Sequence, residues 1–294
     1  MINSAVENKI KIRFILNPFS GIGKKNKLPR ILNEELDKSR FEYDLCYTKG
    51  EGHAAQLAQE AVDQKFHAVV AIGGDGSINE IGSRLIGTDL CLGIIPGGSG
   101  NGIARSLGVE LNTRKALARI NCFDKALIDT GIIANKPFIG IAGLGFDALI
   151  GQRFQRRKLR GMLSYGYLII KEWGSFSPFE FSIEGQVERK ETFVLAFANT
   201  TQYGNNAVIA PLAEFQDGQL ELVCISELKL RRIPEMVLRL FSKTLDQSAH
   251  VQTIGFKEVT VKHSANFAHV DGEPFEVGPE VSVKIRPKSL WVLK

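Results

Sequence analysis

The sequence contains no run of 18 apolar residues, so no transmembrane helix is expected. A basic-then-apolar leader is missing too, because Met1 to Lys11 is polar, and no secretion signal is expected. The expected place is the cytoplasm, with any membrane contact peripheral. Cysteine is scarce: Cys46, Cys91, Cys122 and Cys224 form no Cys-x-x-Cys pair, which points to reduced thiols rather than a disulfide framework. Excess charge of one sign is small. Lys and Arg number 37 against 32 Asp and Glu, a net +5 that suits an anionic ligand or lipid surface and is too weak to argue for nucleic acid. His53, His67, His250, His263 and His269 show no metal-ligand spacing. Neither Gly-x4-Gly-Lys-Ser/Thr nor Gly-x-Gly-x-x-Gly occurs, which disfavours a P-loop fold and a dinucleotide-binding Rossmann fold.

What is present is an alternation. Lys11 to Leu16, Phe41 to Thr48, His67 to Ile72 and Leu90 to Ile95 read as strands. Helical spacing separates them at Leu28 to Leu36, Ala54 to Val62 and Ile78 to Ile86, with Pro29 fitting a first turn. Apolar strands alternating with helices predict a parallel sheet covered on both faces. After about residue 123 the pattern changes. Ala126 to Ile133, Pro137 to Ala142, Phe179 to Gly185, Thr192 to Ala198, Gln219 to Ser226, Val251 to Lys262 and Phe275 to Ile285 read as strands, with helical patterns near Asp147 to Trp173 and Ile233 to Thr244. The expected fold is an α/β domain over residues 1–125 followed by a mostly antiparallel β-sandwich over 126–294, its last strand able to return to the first domain.

The strongest local signal is Val69-Val-Ala-Ile-Gly-Gly-Asp-Gly-Ser77. Apolar residues carry the chain through the sheet, and glycines turn it at the carboxyl edge, where open α/β sheets bind ligands. Free N–H groups there, at a helix start, suit phosphate oxygens. Asp75 beside a phosphate would either face a bridging Mg²⁺ or accept a proton from an attacking hydroxyl. The bland reading is a Gly-rich turn with an Asp cap. Two more loops, Asn17-Pro-Phe-Ser-Gly21 and Pro96-Gly-Gly-Ser-Gly-Asn-Gly102, follow the first and fourth strands. Each alone is an ordinary turn; together they would meet at one edge.

These three loops, with Asn79 and Glu80, Thr48 before Gly52-His53-Ala54, Gly143-x-Gly-Phe-Asp-Ala148, Asp217-Gly218 and Asp271-Gly-Glu273, resemble the diacylglycerol kinase catalytic-domain family. That family includes bacterial soluble lipid kinases and the sphingosine and ceramide kinases. The resemblance runs from residue 10 to about 290. It implies transfer of a γ-phosphoryl group from ATP to a lipid hydroxyl. It further implies that Asn17, Pro18, Phe19, Ser20, Gly21, Thr48, Gly73, Gly74, Asp75, Gly76, Ser77, Ile78, Asn79 and Ser99 line the nucleotide. A structural Mg²⁺ is implied at the Asp217 side chain and the carbonyls of Glu214 and Gln219, an oxygen-only set, with Asp129 nearby. Glu273 or Asp271 is implied as general base, with Asp75 the competitor; the bland reading of 271–273 and of 217–218 is a hairpin turn. One departure stands out. Many bacterial relatives carry Asn-Asp where this chain has Asn101-Gly102, and the third loop looks more like that of the sphingosine and ceramide kinases.

The partner implied is a lipid at a membrane surface, with no nucleic acid and with a homodimer left open. Arg153, Arg156, Arg157, Lys158 and Arg160 precede the apolar Met162, Leu163, Tyr165, Leu168, Ile169 and Ile170. Lys229, Arg231, Arg232 and Arg239 accompany Val237, Leu238, Leu240 and Phe241. Either segment could dock on anionic headgroups, or be a solvated face of a core-packed helix. Rival readings are an NAD kinase-like or phosphofructokinase-like kinase of a soluble metabolite, sharing the Gly-Gly-Asp-Gly loop, and an inactive lipid- or nucleotide-binding homologue.

Overall fold

The computed structural model describes residues 9–21, 27–155, 168, 171–173, 176–184, 190–226 and 229–294. Strands β1 (Ile10–Leu16), β2 (Phe41–Tyr47), β3 (Ala68–Gly73) and β4 (Cys91–Pro96) lie parallel in the order β2-β1-β3-β4. Helices α1 (Leu28–Glu35), α2 (His53–Asp63) and α3 (Asp75–Leu85) connect them, and α4 (Gly102–Ser106) and α5 (Thr113–Cys122) follow β4. Every residue of β3 and β4 is buried, the condition of a parallel sheet covered on both faces. Ile78, Ile81 and Leu85 of α3 fall three and four residues apart, so one helix face meets this core. Pro29 sits in the first turn of α1.

The second half adds β5 (Lys125–Ile133), β6 (Lys136–Phe138), β7 (Ile141–Gly145), β8 (Phe179–Ile183), β9 (Lys190–Thr192), β10 (Val194–Ala198), β11 (Gln202–Gly204), β12 (Ala207–Val208) and β13 (Leu220–Ile225). Then come β14 (Val251–Phe256), β15 (Glu258–His263), β16 (Phe267–Val270), β17 (Glu273–Glu276) and β18 (Glu280–Leu293). Six of these form a separate antiparallel sheet in the order β14-β13-β10-β7-β16-β17. β11 and β12 pair only with each other, and the remaining strands extend the first sheet. β18 pairs with β4 in parallel at Trp291–Cys91 and with β5 and β15 antiparallel.

The two sheets face each other as a β-sandwich. Leu195 and Phe197 of β10, Leu220 and Leu222 of β13, and Val281, Val283 and Ile285 of β18 fill the space between them. Each such side chain contributes roughly 1.5–3 kcal/mol on burial. The alternate residues of β10, Val194, Ala196 and Ala198, join a further core beneath α6 (Phe146–Gln155) and α7 (Ile233–Ser242). β10 is apolar throughout because both of its faces are covered.

Several runs expected as single strands are divided. Val251 to Lys262 is β14 and β15, in different sheets, and Phe275 to Ile285 likewise holds β17 and β18. Thr192 to Ala198 parts at Phe193 into strands of the two sheets. Pro137 to Ala142 parts at Ile139–Gly140, whose amides turn to the Asp271 carboxylate instead of a neighbouring strand. Of the first basic and apolar segment, Arg156, Arg157, Lys158, Arg160, Met162, Leu163, Tyr165, Ile169 and Ile170 lie outside the described residues.

Candidate active site

Four neighbouring parallel strands end at one edge, and the glycine loops leave from it. The Asn17 amide bonds Ile72 O at 3.0 Å, and the Thr48 amide bonds Leu16 O at 2.9 Å. The Gly97 amide bonds Gly73 O at 2.7 Å. Asn17 Nδ2 donates to Ser77 Oγ at 3.0 Å, tying the first loop to α3. Gly21 abuts the Gly97 carbonyl, and a methyl group on Gly98 would come within 2.5 Å of Gly74 Cα. The loops at 17–21, 73–77 and 97–102 therefore touch backbone to backbone. Thr48 is buried beside them; Ser99 and Phe19 are exposed.

Two expected residues are turned away from that edge. The Ile78 side chain is wholly buried in the core and its amide bonds Gly74 O, so it supports the loop from beneath. Asn79 Nδ2 is committed to Asp271 Oδ2 at 2.5 Å and Pro137 O at 3.3 Å, across to the second half of the chain. Glu80 Oε1 accepts the Ala55 amide and joins α3 to the start of α2.

The three candidate carboxylates differ in what they already hold. Asp75 accepts the Gly102 amide at 3.0 Å and the Ile103 amide at 2.9 Å, so it pins the start of α4. Burial pushes its carboxyl above the ordinary range; those amides oppose the rise and the nearby Asp271 charge adds to it. Asp271 accepts from Asn79 and from the amides of Ile139, Gly140 and Ile141 at 2.8–2.9 Å. Burial pushes it up as well, against the pull of those donors. With four donors on two oxygens it is a structural clasp, poorly placed to take a proton. Glu273 is exposed, and a methyl group on Gly76 would lie 2.5 Å from Glu273 Oε1. Its carboxylate therefore lies over the first turn of α3, beside the glycine loops.

The 271–273 segment is also a hairpin. Val270 pairs with Glu273 across Asp271 and Gly272, whose φ angles are +48° and +87°. Two positive φ values in a two-residue loop are those of a type I′ turn.

The loop expected to hold a metal sits elsewhere. Asp129, buried on β5, accepts the Gly218 amide at 2.8 Å and the Lys288 amide at 2.6 Å. Ser289 O in turn accepts the Gly87 amide, ahead of β4, so this region lies toward the amino ends of the parallel strands. Asn199 Nδ2 bridges Asp129 O and Ile139 O, linking the loop to the Asp271 clasp. Asp217 Oδ1 accepts the Gln219 amide. Glu221 close by is pushed up by burial and then by the Asp217 charge, so oxygen ligands and negative charge gather here. Among the described residues no three acidic, imidazole or thiol side chains form a metal cluster.

Sequence reasoning passed over a buried group. His269 Nε2 lies 3.0 Å from Asp147 Oδ2, and Tyr203 Oη donates to the same oxygen at 2.9 Å. These residues are 56 and 122 positions from Asp147, so no spacing rule brings them together. Only the Gly-Phe-Asp-Ala motif hinted at Asp147. The structure also accounts for Gly102: a methyl group there would lie 2.6 Å from Tyr203 O on β11, so an acidic side chain has no room.

Comparison with known proteins covers both halves. Residues 11–132 match the diacylglycerol kinase catalytic domain, and residues 140–294 match the YegS C-terminal NAD kinase beta sandwich-like domain. A diacylglycerol kinase of Mycobacterium tuberculosis is 30% identical, over 97% of this chain and 95% of its own. A probable lipid kinase YegS-like of Chromohalobacter salexigens is 29% identical, over 76% and 75%. The crystal structure of a putative diacylglycerol kinase from Bacillus anthracis has the same fold, with a TM-score of 0.77 at 20% identity, over 100% of this chain and 98% of that one.

Proposed function

We propose that this chain, which belongs to the diacylglycerol kinase catalytic-domain family, transfers the γ-phosphoryl group of ATP to the hydroxyl of diacylglycerol or a related lipid. The observation that carries the reading is the meeting of three glycine loops beside an exposed carboxylate, Glu273. Backbone amides of the loops suit the phosphates, while Glu273 is in position to take the proton of an attacking alcohol. Asp75 and Asp271 serve by holding α4 and the 271–273 turn in place. A Mg²⁺ bound at Asp217 and the carbonyls of Glu214 and Gln219 would offset local negative charge and fix that loop.

The lipid is reached from a membrane surface. No helix of the described residues is long and apolar enough to cross a bilayer. α7 instead exposes Leu238 (69%), Phe241 (41%) and Val237 (39%). Lys229, Arg231, Arg232 and Lys243 are exposed around them, while Arg232 and Arg239 pair with Glu235. An apolar strip edged by cations suits anionic headgroups.

The test is phosphoryl transfer from labelled ATP by the purified chain, offered diacylglycerol, a sphingoid base, a total lipid extract and soluble alcohols in separate reactions. Label in a lipid supports the proposal, and the labelled product names the acceptor. Label only in soluble acceptors would sink it. For the surface, Leu238→Glu with Phe241→Glu should lower sedimentation with anionic vesicles while sparing turnover of a short-chain, dispersed substrate.

A further inference from the structure

The turn that carries Glu273 joins β16 to β17, the outermost strand of its sheet, so sheet pairing alone holds it from one side. Two side chains reinforce it. One is the Asp271 carboxylate already described. The other is His269, whose Nδ1 accepts the Gly272 amide at 3.3 Å. A ring nitrogen that accepts carries a lone pair, so the neutral imidazole has its proton on Nε2. Nε2–H then donates to Asp147 Oδ2.

Asp147 is itself held on three sides. Its Oδ1 accepts the Ala148 amide at 2.8 Å, and its Oδ2 accepts from Tyr203 as well as His269. The side chains of His269 and Asp147 are 3% and 8% exposed. Tyr203 belongs to β11, which lies against the third glycine loop: its carbonyl abuts Gly102, and Gly204 bridges Asn101. One line of contacts thus runs from that loop through Tyr203, Asp147 and His269 to the amide next to Glu273.

We infer that His269 is a positioning residue whose Nδ1 acceptor sets the 271–273 turn, and with it the Glu273 carboxylate, while Nε2–H on Asp147 fixes the tautomer. The role of Glu273 in catalysis rests on the kinase reading above; the holding of the turn by Nδ1 stands apart from it. The two ring nitrogens can be replaced one at a time. In His269→Asn the side-chain oxygen approximates Nδ1 and keeps an acceptor for Gly272. In His269→Gln the amide group approximates Nε2 and keeps a donor for Asp147, and the Gly272 acceptor is lost.

The experiment uses the full chain as wild type, H269N and H269Q, each checked for folding by thermal unfolding. Long-range proton–nitrogen NMR on histidine-labelled wild type should show His269, assigned by its loss in H269N, as the Nε2–H tautomer. Amide exchange at Gly272 should stay slow in wild type and H269N and become fast in H269Q. With ATP and dispersed short-chain diacylglycerol, kcat of H269Q should fall about 30-fold with KM for ATP within about twofold, while H269N stays within about threefold of wild type. An Nδ1–H tautomer, equal loss of kcat in both variants, or full activity and slow exchange in H269Q would overturn the inference. Should H269Q fail to fold, loss of kcat or of Gly272 protection in folded H269N does the same. Wild type that phosphorylates no lipid would sink the kinase reading, and the tautomer and exchange data would then decide the positioning role alone.

Discussion

The first half of the chain comes to the candidate site as short loops, the second as side chains carried by a hairpin. Loops 17–21, 73–77 and 97–102 each leave the end of an adjacent parallel strand and are tied to one another largely by main-chain bonds. Asp271 and Glu273 come from an edge hairpin and reach α3 because the core on β18 and the Asp271 clasp hold the second sheet against the first. A backbone nest is built locally and is rigid by its turns. A carboxylate delivered across the molecule needs a second set of bonds to keep it in place.

The largest expected effect separates chemistry from holding. Glu273→Gln should lower kcat by about 10²–10⁴-fold, with unfolding free energy unchanged, in steady-state assays paired with denaturant titration. If both quantities fall together, Glu273 belongs with the clasp. Asp271→Ala should do the reverse first: it strands four donors and should cost roughly 3 kcal/mol of stability by the same titration. Gly102→Ala forces a methyl group against Tyr203 O and should cost about 1–3 kcal/mol, with a weaker effect on ATP use than on stability. Smallest is a pH effect. Asp75 has a folded pKa above its unfolded value, so the folded state holds the proton more tightly. Its contribution is greatest at acid pH and declines as pH rises from the ordinary carboxyl range through the raised value. Asp75→Asn should flatten that part of the stability–pH curve, and an unchanged slope would deny the shift.

The same contrast decided what could be read from sequence. The parallel half was legible because each candidate loop is a few residues long and follows its own apolar strand. Gly73 to Ser77 reads as a phosphate turn without knowledge of any partner. The sandwich was legible in kind and not in detail. Val251 to Lys262 keeps one β-like character while changing sheets at Lys257, and period-2 patterning carries no record of which sheet a strand joins. The choice among Asp75, Asp271 and Glu273 could not be made from residue types, since all three are acids near glycines. What Asp75 and Asp271 hold depends on who donates to them, and those donors lie as far as 192 positions away. Nor could the inward turn of the Ile78 side chain be read from the motif: a motif names neighbours in sequence, and a helix sends one of them into the core.

β18 has a consequence for how the protein could be divided. Its last residues fill the place beside β4, and its earlier ones lie between β5 and β15. A fragment ending near residue 125 would leave β4 with a bare rim of unpaired amides and carbonyls, open to pairing with another molecule. Severing the halves would therefore yield a sticky half-sheet in place of a small working module, and the two halves are better understood as one woven piece than as two lobes on a hinge.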